Sequence, residues 1–253
     1  MKRIGYRTFE FENGASIISG AGVVGPKEAE GPLGGGFDRC FDDSILGQKS
    51  WEKAESILQK SAVSFALLKG EIKPEEVDIV FAGDLLNQCI ASSFGLKSFD
   101  IPFVGMYGAC STMALTLINA AIYVDCGAVN LAAAVTSSHF CSAERQYRFP
   151  LEYGGVRPPT SQWTVTGSGA VIVGKKGKVK IDRCCVGKII DLGVKDANNM
   201  GAAMAPDNVK IRPYPTHEGM VFFYTQIQYL RGFRALFNHF YTHKKHIKYR
   251  NRV

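Results

Sequence analysis

Cys110 is the residue of this chain best placed to do chemistry. An apolar run, Ile101-Pro102-Phe103-Val104-Gly105-Met106, ends in Tyr107-Gly108-Ala109, and the thiol follows where a helix must open. Met113 to Val124 is apolar nearly all round, with only Thr116 and Asn119 strongly polar, which predicts a buried helix whose first turn lies in the interior. Unpaired N–H groups and the positive end of the helix dipole at such a turn favour a thiolate and attract anions. Two readings are open on this pattern: a reactive or anion-binding thiol, and a small apolar residue buried for packing. The seven cysteines show no CxxC pair and no zinc spacing, so reduced thiols are expected and no metal centre.

The elements that must position this turn alternate between strand and helix. Ala15 to Ser19 reads as a short buried strand, and Trp51 to Leu68 as an amphipathic helix with Trp51, Ala54, Ile57, Leu58, Ala62, Phe65 and Leu68 on its apolar face. Asp78 to Gly83 is a second strand after the turn Pro74-Glu75-Glu76, and a small-residue helix fills Gln88 to Phe94. Phe103 to Met106 is a third strand, leading into the Cys110 helix. Val129 to Thr136 makes a fourth, and Trp163 to Val173 a fifth, broken at its glycines, after a polar loop from Ser137 to Gln162. The predicted order is βαβαβαββ, with apolar strands of the kind that helices cover on both faces. Val179 to Leu192 begins a further strand, as though a second copy of the unit were starting.

Other signals exclude function classes. Gly20-Ala21-Gly22-Val23-Val24-Gly25, with Asp42 and Asp43 about twenty residues on, imitates a dinucleotide fingerprint. Pro26, Gly31, Pro32 and Gly34-Gly35-Gly36 leave no room for the helix that would hold a pyrophosphate, so a surface loop is expected there and no cofactor. No run of eighteen apolar residues and no secretory leader pattern occurs, which points to cytoplasmic synthesis. Residues 206–253 hold nine Lys and Arg against two acids, the whole net charge of +7, and four of the five histidines. Nucleic acid is therefore not an expected partner of the remaining, neutral chain. His239, His243 and His246 have i, i+4, i+3 spacing but are not expected to hold a metal.

The strand order, the helix opened by Gly108-Ala109-Cys110-Ser111-Thr112, the segment Pro74-Glu75-Glu76-Val77-Asp78 and the strand Thr166-Gly167-Ser168-Gly169-Ala170-Val171 resemble the thiolase and ketoacyl synthase superfamily. Longer motifs narrow the likeness. Phe81-Ala82-Gly83-Asp84-Leu85-Leu86-Asn87-Gln88, Ser137-Ser138-His139-Phe140, the segment Ala143 to Gly154, Arg157-Pro158-Pro159-Thr160 and the segment Val194 to Gly201 are similar to the stage V sporulation protein AD family, over about residues 1 to 205. The resemblance implies a thiolase-like layered α/β fold, with 1–175 a complete N-terminal half, 176–205 the start of a second half and 206–253 a divergent basic, aromatic tail. It also implies binding of dipicolinic acid (pyridine-2,6-dicarboxylic acid) and its uptake into the developing spore, with other spore membrane channel subunits as partners and peripheral association with the forespore inner membrane.

Cys110 falls where condensing-enzyme relatives carry their nucleophile, but the histidine that serves it there comes from the second half, which the tail does not continue. A frameshifted reading explains that change of composition better than a lipid- or nucleic-acid-binding extension, because the tail lacks the charge segregation of a membrane-surface helix. A flat dianion such as dipicolinate suits a helix N-terminus, a bidentate arginine and an aromatic wall. Tyr107, Cys110, Ser111, Thr112, His139, Arg145, Arg148 and Arg157 are the expected ligand-binding residues, with Phe140 a further wall candidate. An acyltransferase working through a Cys110 thioester is the alternative, and a structural subunit that pairs as a homo-oligomer or docks a full-length partner is the third reading.

Overall fold

The computed structural model describes residues 1–85, 88–147, 164–187 and 219–224, with 144–147 and 219–224 described by backbone alone. Its strands are β1 (Thr8–Val24), β2 (Ile79–Asp84), β3 (Phe103–Gly105), β4 (Leu131–Ser138), β5 (Gly167–Gly174), β6 (Val179–Val186) and β7 (Gly219–Tyr224). They form one mixed sheet in the order β3-β2-β4-β5-β1-β6-β7, edged along β1 by the short pieces Lys2–Arg3 and Arg39–Cys40. The helices are α1 (Trp51–Gly70), α2 (Ile90–Leu96), α3 (Thr112–Asp125) and α4 (Phe140–Tyr147).

Three layers result, because successive strand side chains point to opposite faces. Ala132 and Ala134 of β4, with Val171 and Val173 of β5, pack against Leu117, Ile118, Ala121 and Val124 of α3. Ala133 and Val135, with Ala170 and Ile172, pack against Leu58, Ala62, Val63 and Ala66 of α1. Burial of each large aliphatic side chain in these faces contributes roughly 1.5–3 kcal/mol. The run of alanines in β4 lets both helices approach the sheet closely.

The architecture is the layered α/β half expected, and four local features differ from expectation. The first strand spans seventeen residues instead of five. A register shift between Ile17 and Ser19 moves its alternation by one, so Ala15 and Ile17 face α3 while Ala21 and Val23 face α1. The Gly20–Val24 segment is thus not a surface loop but the middle of the sheet, paired antiparallel with β5, and only a single helical turn, Pro26–Ala29, follows it. β5 runs through its glycines unbroken, and the expected polar loop after β4 opens with two strand residues, Ser137 and Ser138, and then α4.

α1 is also rotated from the face expected. Leu68 is 71% exposed and Trp51 37%, whereas Glu55, Ser56 and Gln59 are buried. Gly219–Tyr224 pairs in parallel with β6. Most of the expected second half and tail, including the boundary near residue 205 and the histidines at 217, 239, 243 and 246, lies outside the described residues.

Candidate functional site

Cys110 lies in a tight 3-10 turn, Ala109–Ser111, immediately before α3. The turn is built on strain and on its own hydrogen bonds. Ala109 has φ +46°, a left-handed conformation that costs a non-glycine residue about 1 kcal/mol. Ser111 N–H and Oγ–H both donate to Gly108 O, at 2.9 and 2.6 Å. Thr112 Oγ1 donates to Ala109 O at 2.7 Å and accepts from Gly108 N–H at 3.2 Å. The hydroxyls of Ser111 and Thr112 are therefore committed to the turn, as is the Ser111 N–H. The Thr112 N–H donates to Ala109 O. The turn's own bonds leave out the N–H groups of Ala109 and Cys110.

The turn is brought to the end of β2 by Gly83. A Cβ there would stand 2.1 Å from Met106 O and 2.6 Å from Thr112 Cγ2, so only a glycine admits so close an approach. On the other side Cys110 packs against a small cluster of Leu85, Ala109 and Ala143, the last from α4.

This packing opposes a thiolate. Burial pushes the Cys110 thiol up to about 12, with its own backbone N–H the one group working in the other direction. The magnitudes explain the outcome. Three units above an ordinary thiol correspond to about 4 kcal/mol against the charged form, whereas the helix dipole contributes about 0.3–2 kcal/mol in its favour. Cys110 is held as a neutral thiol.

The remaining expected residues are placed differently from one another. Tyr107 is 38% exposed, two residues beyond the end of β3. His139 is wholly buried at the end of β4, stacked on Phe140 and tilted against Trp51 at 5.3 Å between centroids. Its Nε2–H donates to Ser44 O at 2.7 Å and its Nδ1 accepts from Cys141 N–H at 3.2 Å, which fixes a neutral tautomer, and burial lowers its pKa. Both ring nitrogens are thus engaged in holding the 44–50 segment to the start of α4. Phe140 belongs to the same aromatic group. The α4 backbone carries Arg145, while Arg148 and Arg157 lie outside the described residues.

Behind the same strand ends stands a polar network that the sequence reading missed. Asp84 and Ser137 are register partners at the C-terminal ends of the parallel strands β2 and β4. Asp84 accepts from the N–H groups of Ala91 and Ser92, at 2.8 and 2.9 Å, and from the Ser92 hydroxyl, and so caps α2 from a distance. Cys89, which occupies the cap position itself, is left-handed and makes no side-chain cap. Gln59 Nε2 reaches Gly83 O, Asp84 Oδ1, Ser92 Oγ and Ser137 Oγ at 2.8–3.1 Å. Glu55 accepts hydroxyls from Ser137 and Ser142, each at 2.8 Å. Burial raises both acids, Glu55 to about 7 with the Asp84 charge as its second cause. The available signal was a Glu and a Gln four residues apart, in line with Ala62 and Ala66 along α1.

A helix-covered α/β half with a cysteine in the turn that opens its central helix is the thiolase-like fold that the sequence resemblance implies. Residues 5–213 match the family model described as Stage V sporulation protein AD. The chain is 45% identical over 207 residues to the Stage V sporulation protein AD of Bacillus subtilis (strain 168), covering 81% of this chain and 61% of that relative. The chain belongs to the Stage V sporulation protein AD family, and spans about three-fifths of the length of this curated relative. Among solved structures it is similar to 3-oxoacyl-[acyl-carrier-protein] synthase III from Aquifex aeolicus VF5 (16% identity, TM-score 0.46, covering 65% of this chain and 55% of that one). It is also similar to the H285N form of Xanthomonas campestris OleA (15% identity, TM-score 0.44, covering 66% and 57%).

Proposed function

We propose that this sporulation-family protein binds dipicolinic acid at the Cys110 turn and takes part in its uptake into the developing spore, as a peripheral component of an inner-membrane channel complex. The observation that supports this reading is the half-buried thiol in a helix-opening turn, packed on Leu85 and Ala143. A nucleophile for thioester chemistry needs a thiolate and a base, and here the thiol is pushed up to about 12 while His139 has both nitrogens committed. A dianion needs neither. It would meet the N–H groups of Ala109 and Cys110 and the positive end of α3, with Arg145 of α4, or Arg148 or Arg157, as the charged partner.

Among the described residues no helix is long and apolar enough to cross a membrane. In this reading attachment to a membrane complex runs through the other channel subunits. Self-association is part of the same reading. Among the described residues β3 is a three-residue edge strand that carries exposed Phe103, and α2 exposes Ile90 and Phe94, apolar side chains suited to a second copy.

Calorimetric titration of dipicolinate tests the reading. Wild-type chain should give saturable binding, and alanine at the contacting arginine should cost on the order of 1.5–3 kcal/mol, the worth of hydrogen bonds to a charged group. Cys110→Ala should cost less, because the N–H groups remain. No binding by wild type, together with multiple-turnover release of thiol from an acyl thioester that is lost in Cys110→Ala, would replace this reading by the acyltransferase.

A further inference from the structure

Glu55 is 2% exposed, and its two oxygens are taken by two different elements. Oε1 accepts from Ser137 Oγ at the end of β4, and Oε2 from Ser142 Oγ on α4, both at 2.8 Å. Ser142 Oγ also lies 3.1 Å from His139 O, a second acceptor for the same hydrogen. The next residue, Ala143, belongs to the cluster of Leu85 and Ala109 on which Cys110 packs. One carboxylate on α1 thereby ties down the helix that covers Cys110. An apolar residue would fill the space but could not hold two hydroxyls at once, and a buried carboxylate is tolerated only where its oxygens are taken up in this way.

We propose that Glu55 is a positioning residue of the candidate site, which through Ser142 fixes α4, and with it the backbone that carries Arg145, against the Cys110 turn. The role in ligand binding rests on the dipicolinate reading above; the hold on α4 does not. The chemistry requires a group that can satisfy both serines, and an amide can do so. In Glu55→Gln the carbonyl oxygen accepts from Ser137 while the NH2 group donates to Ser142 Oγ, whose hydrogen turns to His139 O. Alanine can satisfy neither.

The test measures alkylation of individual cysteines by iodoacetamide on the full chain, followed by peptide mass mapping, with Cys184 as an internal control. Cys184 is buried on the α3 face of the sheet and reports global opening. Glu55→Ala should raise the rate at Cys110 about tenfold or more, the equivalent of one hydrogen bond to a charged group, with the Cys184 rate unchanged. Ser142→Ala should do the same, and it carries the test if Glu55→Ala does not fold. Glu55→Gln should return the Cys110 rate to within about twofold of wild type, since it replaces both bonds.

An unchanged Cys110 rate in both truncated variants, or a rise shared equally with Cys184, overturns the proposal. Dipicolinate affinity, measured by calorimetry on the same proteins, should fall about tenfold in Glu55→Ala and recover in Glu55→Gln. If wild type binds no dipicolinate while Cys110 responds as described, the ligand reading fails and the hold of Glu55 on α4 stands.

Discussion

Replacing Glu55 by glutamine should change how the stability of this protein depends on pH. In the fold the Glu55 carboxyl is raised from 4.5 to about 7, chiefly by burial and then by the Asp84 charge. The folded state therefore holds this proton more tightly than the unfolded state. Wild type loses stability as pH rises from about 4.5 to about 7 and regains none above that. The full effect is the free energy of two and a half pKa units, about 3 kcal/mol. Glutamine has no proton to lose, and its amide meets the same two serines. Asp84, also raised by burial, slopes in the same direction, and His139, lowered by burial, slopes in the opposite one. His139 is present in wild type and variant and cancels in the difference, and Asp84 cancels apart from the part of its shift that comes from the Glu55 charge. Urea unfolding at pH 5 and pH 8 should show the variant gaining about 2–3 kcal/mol over wild type between the two. Parallel stability profiles would mean that Glu55 is not desolvated as its burial and hydrogen bonds require.

Three further outcomes follow from other parts of the site. Gly83→Ala should lower stability by about 3 kcal/mol in the same unfolding assay, because its Cβ would meet the Met106 carbonyl at 2.1 Å, a backbone contact that cannot yield; a loss under 1 kcal/mol would contradict the close approach of β2 to the turn. His139→Ala should cost about 3 kcal/mol at pH 7.5 through its two hydrogen bonds and its aromatic neighbours. Because the fold keeps that ring neutral, the wild-type advantage is present above pH 6.5 and shrinks as pH falls below it. Cys110 should react with iodoacetamide at pH 8 roughly a hundredfold to a thousandfold more slowly than an ordinary thiol and should still be accelerating at pH 10; a plateau near pH 8 would restore the thiolate.

The layers and the Cys110 turn are legible in the sequence because they rest on local composition. The all-round apolar run of α3 and the small-residue strands β2 and β4 identify buried elements wherever they lie in the fold. β1 is different in kind. Its early half alternates Phe9, Phe11 and Ala15 with charged residues and Gly14, and a bulge after Ile17 reverses the buried parity, so no single period runs through it. The glycines beyond the bulge then look like a loop, when they are ladder residues facing β5. The acid network was hidden for another reason. Glu55 and Gln59 look like the wet face of an amphipathic helix until Asp84 and Ser137 are seen to be partners across two strands 53 residues apart, and that pairing is a property of the sheet. The protonation of Cys110 stayed open in the sequence because dipole and burial act on the same atom in opposite directions. Only the packing of Leu85 and Ala143 decides which is larger.

The end of β2 joins the two halves of this site. Strand alternation sends Gly83 to the α3 side, where it meets Met106 and Thr112, and Asp84 to the α1 side, where it meets Gln59 and the first turn of α2. The candidate anion-binding turn and the two buried acids therefore stand back to back across one layer of sheet. Ionised together, Asp84 and Glu55 would oppose a dianion beside Cys110, since water does not screen charges in the interior as it does at the surface. Desolvation raises both acids, and it raises the thiol on the other face. The same burial that removes the nucleophile from Cys110 thus also lowers the negative charge behind the turn. The first change disfavours thioester chemistry, and the second favours an anion held by backbone N–H groups and an arginine.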